Sequence, residues 1–133
     1  MIIPFLNFHG HTEEAVTYYA SLFDFKPQFL KFAMAPDRGF DVPESMNDKV
    51  MFTLFQIADN TIYATDHYPG LDSVPGQSMS INLIADKATL ESVFNKLAPR
   101  SQIGMNFQKT LWSGWYASLI DPYGVVWQFS LNE

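Results

Sequence analysis

The stretch Leu111–Leu131 constrains the fold more than any other, because its pattern is typical of a β-hairpin. Asp121-Pro-Tyr-Gly124 lies within it and has the composition of a tight turn, since proline presets φ and glycine tolerates positive φ. After this turn, Trp127 and Phe129 alternate with polar residues, among them Gln128. Because successive side chains of a strand point to opposite faces, one face is predicted to pack on an apolar core and the other to carry Gln128.

The composition fits one globular domain and excludes several kinds of partner and chemistry. The chain has 133 residues, of which 47% are apolar and 16% aromatic, which suffices for a core and argues against disorder. Its net charge of −6 argues against nucleic acid and anionic membranes as partners. It has no cysteine, which removes thiol catalysis, disulfides and thiolate metal sites.

The beginning of the chain does not have the pattern of a targeting segment. Met1–Pro4 lacks a basic region followed by a long apolar run, so no signal peptide is predicted. No apolar run is long enough to span a bilayer. We therefore expect a cytoplasmic protein.

The first half of the chain is predicted to contain one helix among several strands. Apolar residues recur at helical spacing over Glu13–Phe23, and His11 or Thr12 precedes them as N-cap, with Thr12 having the better side chain. In the strand Asp48–Ile57, apolar residues occupy both faces, which predicts burial on both sides. The predicted strands of this half are Ile2–Phe8, Phe29–Ala35, Asp48–Ile57 and Thr61–Asp66.

The second half repeats this order of elements. Ser78–Ala85 is predicted as a strand, Asp86 as an N-cap and Lys87–Leu97 as a helix, and Ile103–Phe107 as a short strand or loop before the hairpin. Each half is thus a strand, a helix and about three strands. The prediction is one α+β domain over residues 1–133, built of modules at about 1–67 and 77–133. Two such modules would pair their sheets to enclose a space.

Several motifs follow one another in a defined order along the chain. They are Phe8–Ala15 with Tyr18-Tyr19, Asp48–Met51, Tyr63–Asp66, Thr110–Trp112 with Tyr116, Asp121–Gly124 and Trp127. In this order and spacing they resemble the PhnB-like branch of the glyoxalase/bleomycin-resistance/dioxygenase (vicinal oxygen chelate) superfamily, and the resemblance covers almost the whole chain. It implies two βαβββ modules that form paired curved mixed sheets around a cleft, and it implies a homodimer. Proteins of this branch are often called methyltransferases of a ubiquinone precursor.

The metal chemistry of such relatives does not transfer to this chain. The resemblance implies a metal-binding glutamate in the final strand, and this chain has Gln128 there. It also implies histidines early in the first strand of each module, where this chain has Ile2–Phe5 and Ser78–Ser80. An amide adds no negative charge to a site for a hard cation, so we expect a metal-free site and no cofactor.

The predicted site is a cavity that binds a small organic molecule. Each candidate also has a structural interpretation: Gln128 as a satisfied buried amide, the aromatic residues as ordinary sheet packing, and Asp66 as a turn-forming residue rather than a general base. The predicted lining residues are Gln128, Asp66, Ser80, Asn82, Trp112, Trp115 and Tyr116.

Three functions remain open from the sequence. The first is a protein that binds or sequesters a small organic molecule without a metal. The second is a lyase, isomerase or dioxygenase with a divalent metal, and the third is a structural or regulatory protein whose cavity is filled by its own side chains. The chain has no Gly-rich strand-to-helix loop for a nucleotide-like methyl donor, which argues against the methyltransferase label.

Overall fold

The structure, a computed structural model, describes all 133 residues and consists of two compact units, residues 1–75 and 76–133. The boundary falls within the segment that the sequence analysis leaves between its two modules. The structure contains no helix with the length and hydropathy that crossing a membrane requires.

The first unit is a βαβββ module with a mixed four-stranded sheet. The strand order is β1-β4-β3-β2, with β1 parallel to β4 and the other neighbours antiparallel. Its elements are β1 (Phe5–Asn7), α1 (Thr12–Phe23), β2 (Leu30–Lys31), β3 (Val50–Ile57) and β4 (Asn60–Thr65).

The second unit has the same topology. Its order is β5-β8-β7-β6, again with one parallel pair, β5 and β8, and antiparallel pairs elsewhere. The predicted α+β class with two βαβββ modules is therefore confirmed. The elements are β5 (Ser80–Ala85), α2 (Lys87–Leu97), β6 (Gln102–Gln108), β7 (Tyr116–Ile120) and β8 (Val126–Leu131).

Each unit buries the apolar stripe of its helix against one face of its own sheet. In the first unit, Val16 and Tyr19 of α1 are fully buried, and the Tyr19 ring stacks on Phe55 of β3 with ring centres 5.7 Å apart. In the second, Phe94 of α2 lies edge-on to Phe129 of β8 at 5.5 Å. Burial of side chains of this size stabilises a fold by about 1.5–3 kcal/mol each, so the two sheet faces hold most of the stabilising packing.

The final hairpin forms as its alternation predicts. Trp127 and Phe129 are buried, whereas Gln128 between them faces the opposite side of the sheet and is partly exposed. The turn at Asp121–Gly124 closes with a bond from the Gly124 amide to the Asp121 carbonyl, 3.1 Å. The second oxygen of the Asp121 carboxylate accepts the indole N–H of Trp127 at 3.0 Å, which joins the turn to the core.

Two local predictions for the first unit are wrong, and a third is decided between its two alternatives. The N-cap of α1 is His11, one of the two predicted residues, whereas the Thr12 hydroxyl makes a long-range bond described below. The predicted strand Phe29–Ala35 is extended only at Leu30–Lys31, and a 3-10 turn follows it. The strand β3 is not buried on both faces, because Leu54 is 51% exposed.

The outer edge of the first sheet is partly covered by a side chain. Strand β1 lies at this edge, and the Pro4 carbonyl faces β4, where it accepts the amide of Tyr63 at 2.9 Å. Since neighbouring residues of a strand point their backbone groups to opposite sides, the carbonyl of Phe5 faces outward. The Tyr68 hydroxyl donates a hydrogen bond to that carbonyl. Burial raises the pKa of Tyr68, so the phenol remains a donor into more alkaline solution than an exposed tyrosine would.

Candidate functional site

A row of hydrogen-bonded polar side chains crosses the second sheet on the face that α2 does not cover. The hydroxyl of Tyr116 on β7 donates to Oε1 of Gln128 on β8 at 2.6 Å. The Nε2 of Gln128 donates to Oγ of Ser80 on β5 at 2.8 Å. Two residues further along β8 and β5, on the same face, Ser130 donates to Oδ1 of Asn82 at 2.9 Å. The register pairs Asn82 with Gln128, so the two bonded groups are neighbours on one face.

The hydrogen bonds hold the Gln128 amide in place between two hydroxyl groups. Its oxygen accepts from the phenol of Tyr116 and its nitrogen donates to the hydroxyl of Ser80. The amide is therefore satisfied at both ends and held within the sheet face. Ser80 and Asn82 are exposed, so a molecule that contacts this face meets an ordered set of donors and acceptors. We call these residues, with Tyr116, Gln128 and Ser130, the polar row.

The two predicted tryptophans have different surroundings. Trp112 is 67% exposed and lies edge-on to the Tyr116 ring, with ring centres 5.3 Å apart, so it borders the polar row. Trp115 stacks on Phe107 at 5.2 Å, and Nζ of Lys87, the first residue of α2, lies 4.3 Å from the centre of its ring. Trp115 thus belongs to the packing on the helix side and not to the row.

Asp66 lies in the first unit, where its carboxylate is almost completely buried and accepts hydrogen bonds from two parts of the chain. Oδ1 accepts the amides of Gly10 and Thr12 at 2.8 and 3.0 Å, and the Thr12 hydroxyl at 2.6 Å. Oδ2 accepts the amide of Val50 at 2.8 Å. The group is 5% exposed. Because a carboxylate is worth most to a fold where it satisfies buried N–H groups, this geometry supports a structural role over that of a general base.

Of the seven predicted site residues, the structure joins five and separates two. Asp66 and Trp115 make the contacts described above and do not belong to the row. The five that come together on one face of the second sheet are Gln128, Ser80, Asn82, Trp112 and Tyr116.

The residues of this chain do not fit the metal site that the family resemblance implies. Gln128 and Ser80, which lie where ligands are implied, are bonded to each other, and Phe5 packs in an aromatic cluster with its ring 6.0 Å from that of Phe52. Of the histidines that precede α1, His9 bonds to Ser73 at 3.1 Å. No group of three histidine, cysteine or acidic side chains is arranged to hold a metal ion.

The first unit contains a pocket that the sequence analysis missed. It has a volume of about 550 Å³ and lies between the segment 34–40 and strands of the first sheet. Its walls are largely apolar, with Phe5, Phe40 and Phe52 among them, and Arg38 and His67 are among the few polar side chains. The only signal in the sequence was an arginine beside a glycine and an aromatic residue in a proline-containing loop, and this does not predict a pocket without the strands that face it.

Two successive modules of the same topology, each a helix on a mixed four-stranded sheet, define a protein of the glyoxalase-like fold. The family model described as 3-demethylubiquinone-9 3-methyltransferase matches residues 1–130, and the chain belongs to this family, the PhnB family. No curated protein matches the chain.

Solved structures agree with this assignment. A crystal structure of a protein from Pseudomonas aeruginosa is 27% identical over 99% of this chain and 97% of that chain, with a TM-score of 0.76. The PhnB protein of Bacillus cereus, which bears the same methyltransferase designation, is 26% identical over 98% of both chains, with a TM-score of 0.65. A glyoxalase-related enzyme from Fulvimarina pelagi, 17% identical over 99% of this chain and 88% of that chain with a TM-score of 0.58, shares the fold.

Proposed function

We propose that this chain is a small-molecule-binding protein that recognises a planar, polar organic ligand on the open face of its second sheet without a protein-bound metal ion. The observation that supports this most is the polar row, in which Gln128 is held between Tyr116 and Ser80. Small-molecule sites combine apolar surface with a few oriented polar groups, and this face offers both.

Trp112 supplies the apolar part of the proposed site. The Trp112 indole is 67% exposed and therefore largely hydrated. A flat ligand that covers it removes apolar surface from water, which favours binding by about 25 cal/mol per Å² of buried apolar area. Its edge contact with Tyr116 holds it beside the row. A ligand that stacks on Trp112 therefore has its polar edge within reach of the hydroxyl and amide groups, which select for complementary donors and acceptors.

The metal-free part of the proposal rests on which atoms are already engaged. The Gln128 oxygen, the atom of that side chain that could ligate a cation, accepts the Tyr116 hydroxyl. A cation at this oxygen would share it with the phenol and would find no negative charge there to offset its own. This is why we prefer a binding function to the alternative of a divalent-metal lyase, isomerase or dioxygenase.

Methyl transfer from a nucleotide-like donor is not part of the proposal. Proteins that bind nucleotides at a strand-to-helix turn leave the helix N-terminus open to the ligand. Here a carboxylate already accepts backbone amides at each such turn. Asp66 accepts the amides of Gly10 and Thr12 at the start of α1, and Asp86 accepts the amide of Thr89 at the start of α2. Backbone N–H groups at these turns are therefore already satisfied by the chain.

The test uses NMR of chelator-treated protein titrated with planar heteroaromatic compounds, among them purines, pyrimidines and nicotinamide. We expect one class to shift both the Trp112 indole N–H and the Gln128 side-chain amide signals. Gln128→Ala should weaken its binding by about three- to tenfold, the range for one or two hydrogen bonds. Gln56→Ala, the same change at an exposed position of β3, is the matched control and should leave the affinity unchanged.

Two results would contradict this proposal. One is that no compound shifts the Trp112 and Gln128 signals together. The other is that binding requires added Mn²⁺ or Mg²⁺, with one equivalent of the ion retained near Gln128, which would favour the metal-dependent alternative.

A further inference from the structure

The pocket of the first unit has the size of a ligand site and is not used by the function proposed above. Its volume of about 550 Å³ lies within the range of about 300–1,000 Å³ that small-molecule sites occupy. Its lining includes no residue of the polar row. The pocket therefore needs an explanation of its own.

The side wall of the pocket is organised around the guanidinium of Arg38. One nitrogen, Nη1, donates to the carbonyls of Phe32 and Ala35 at 3.2 and 3.1 Å. The guanidinium carbon lies 5.7 Å from the ring centres of both Phe32 and Phe40, so the group packs against two adjoining aromatic rings. Its position is fixed by the chain before any ligand arrives, which lowers the entropic cost of using it for recognition.

The charge of Arg38 is not neutralised by the protein. The guanidinium makes no ion pair, although Asp37 lines the same pocket. Its Nε is shielded from water and has no hydrogen-bond acceptor. Since Nη1 serves the two carbonyls and Nε is shielded, Nη2 is the nitrogen that remains for a charge-assisted hydrogen bond to a carboxylate in the pocket.

The rest of the pocket suits a flat apolar body. The rings of Phe5 and Phe52 are edge-to-face at 6.0 Å and 87°, and Met34 and Met51 complete an apolar surface beside them. Aromatic rings and thioethers are polarizable and contact planar ligands favourably. We infer that this pocket binds an aromatic or conjugated carboxylate, with its ring against Phe5 and Phe52 and its carboxylate on Nη2 of Arg38.

The experiment compares two probes that share a ring system and differ in charge, 2-naphthoate and 2-naphthylmethanol. Binding to the full chain is measured by calorimetry and by NMR of ¹³C-methyl methionine. We expect the acid to bind about tenfold more tightly than the alcohol. The signals of Met34 and Met51 should shift, whereas those of Met79 and Met105 in the second unit should not.

Variants then assign the preference to the guanidinium. Arg38→Met should abolish the preference for the acid, Arg38→Lys should retain part of it, and Lys26→Gln should not change it, since Lys26 is exposed and lies outside the pocket lining. Equal affinity of the two probes for the unaltered protein overturns the inference without any variant, even if Arg38→Met fails to fold. A preference that survives in folded Arg38→Met, or shifts confined to Met79 and Met105, overturns it as well. Gln128→Ala, which tests the second unit, should leave naphthoate binding unchanged.

Discussion

Replacement of Asp66 should strongly destabilise the protein. Its carboxylate accepts the amides of Gly10, Thr12 and Val50, and it is 5% exposed. Asp66→Ala would leave these three N–H groups without their acceptor. Each buried donor left unpaired costs about 1–3 kcal/mol, but Gly10 is partly exposed and water can replace its bond. We therefore expect a loss of about 3–5 kcal/mol in the free energy of unfolding.

Asp66→Asn is the sharper test, because it keeps the size of the side chain. The remaining amide oxygen can serve Gly10 and Thr12, but the amide nitrogen then faces the Val50 N–H, and two donors oppose each other. The expected loss is about 2 kcal/mol, together with faster hydrogen exchange at the Val50 amide.

Urea unfolding followed by circular dichroism gives the free energies for both variants. The matched control is Asp59→Asn, since Asp59 is exposed in the β3–β4 turn and its φ of 64° suits asparagine equally well. It should stay within about 0.5 kcal/mol of the unaltered protein. If Asp66→Asn and Asp59→Asn gave the same stability, or if exchange at Val50 did not change, the structural role assigned to this carboxylate would be refuted.

Two further predictions concern the second unit. Asp86→Ala should lower the melting temperature, because Asp86 caps α2. Its bond to the Thr89 amide lowers the pKa of Asp86, so the stabilisation should be present above the unfolded pKa of about 3.9 and should be lost as the pH falls through the lower folded pKa. In melting curves recorded over a pH series, the variant and the unaltered protein should therefore converge in acid. Trp127→Phe should lower the free energy of unfolding by about 1–3 kcal/mol, because the buried Asp121 loses the indole donor that lies at 3.0 Å. Urea unfolding measures this change. Trp112→Phe is the control, since the Trp112 ring is exposed, and it should not lower the free energy of unfolding.

The parts of the fold that local pattern predicts are those in which one element decides its own structure. Lys87–Leu97 forms a helix with Asp86 as N-cap, as its spacing and capping residue indicate, and the final hairpin alternates as its sequence does. The repeated order of elements in the two halves predicts the two modules for the same reason.

The failures are positions where a distant group competes with the local pattern. The predicted strand Phe29–Ala35 stops at Lys31 because the following carbonyls turn toward Arg38, which the strand pattern does not reveal. Thr12 has a good capping side chain, but its hydroxyl donates a hydrogen bond to the carboxylate of Asp66, which is 54 residues away.

The candidate site divides in the same way. Strand alternation places Gln128, Ser80 and Asn82 on one face, and parallel pairing of β5 with β8 brings them together. Strand alternation could not separate Trp115 from Trp112, because both lie in the loop between β6 and β7. Only the tertiary packing of Trp115 on Phe107 and Lys87 distinguishes them. The pocket around Arg38 depends on strands that lie far from it in sequence.

The hydroxyl of Tyr68 on the carbonyl of Phe5 has a consequence for self-association. A strand from another molecule that added to this edge of the sheet would need the Phe5 carbonyl as an acceptor, and the tyrosine already occupies it. Pairing of another strand with β1 would first have to displace this phenol. One side chain beyond the last strand of its module thus covers one of the acceptors at this sheet edge.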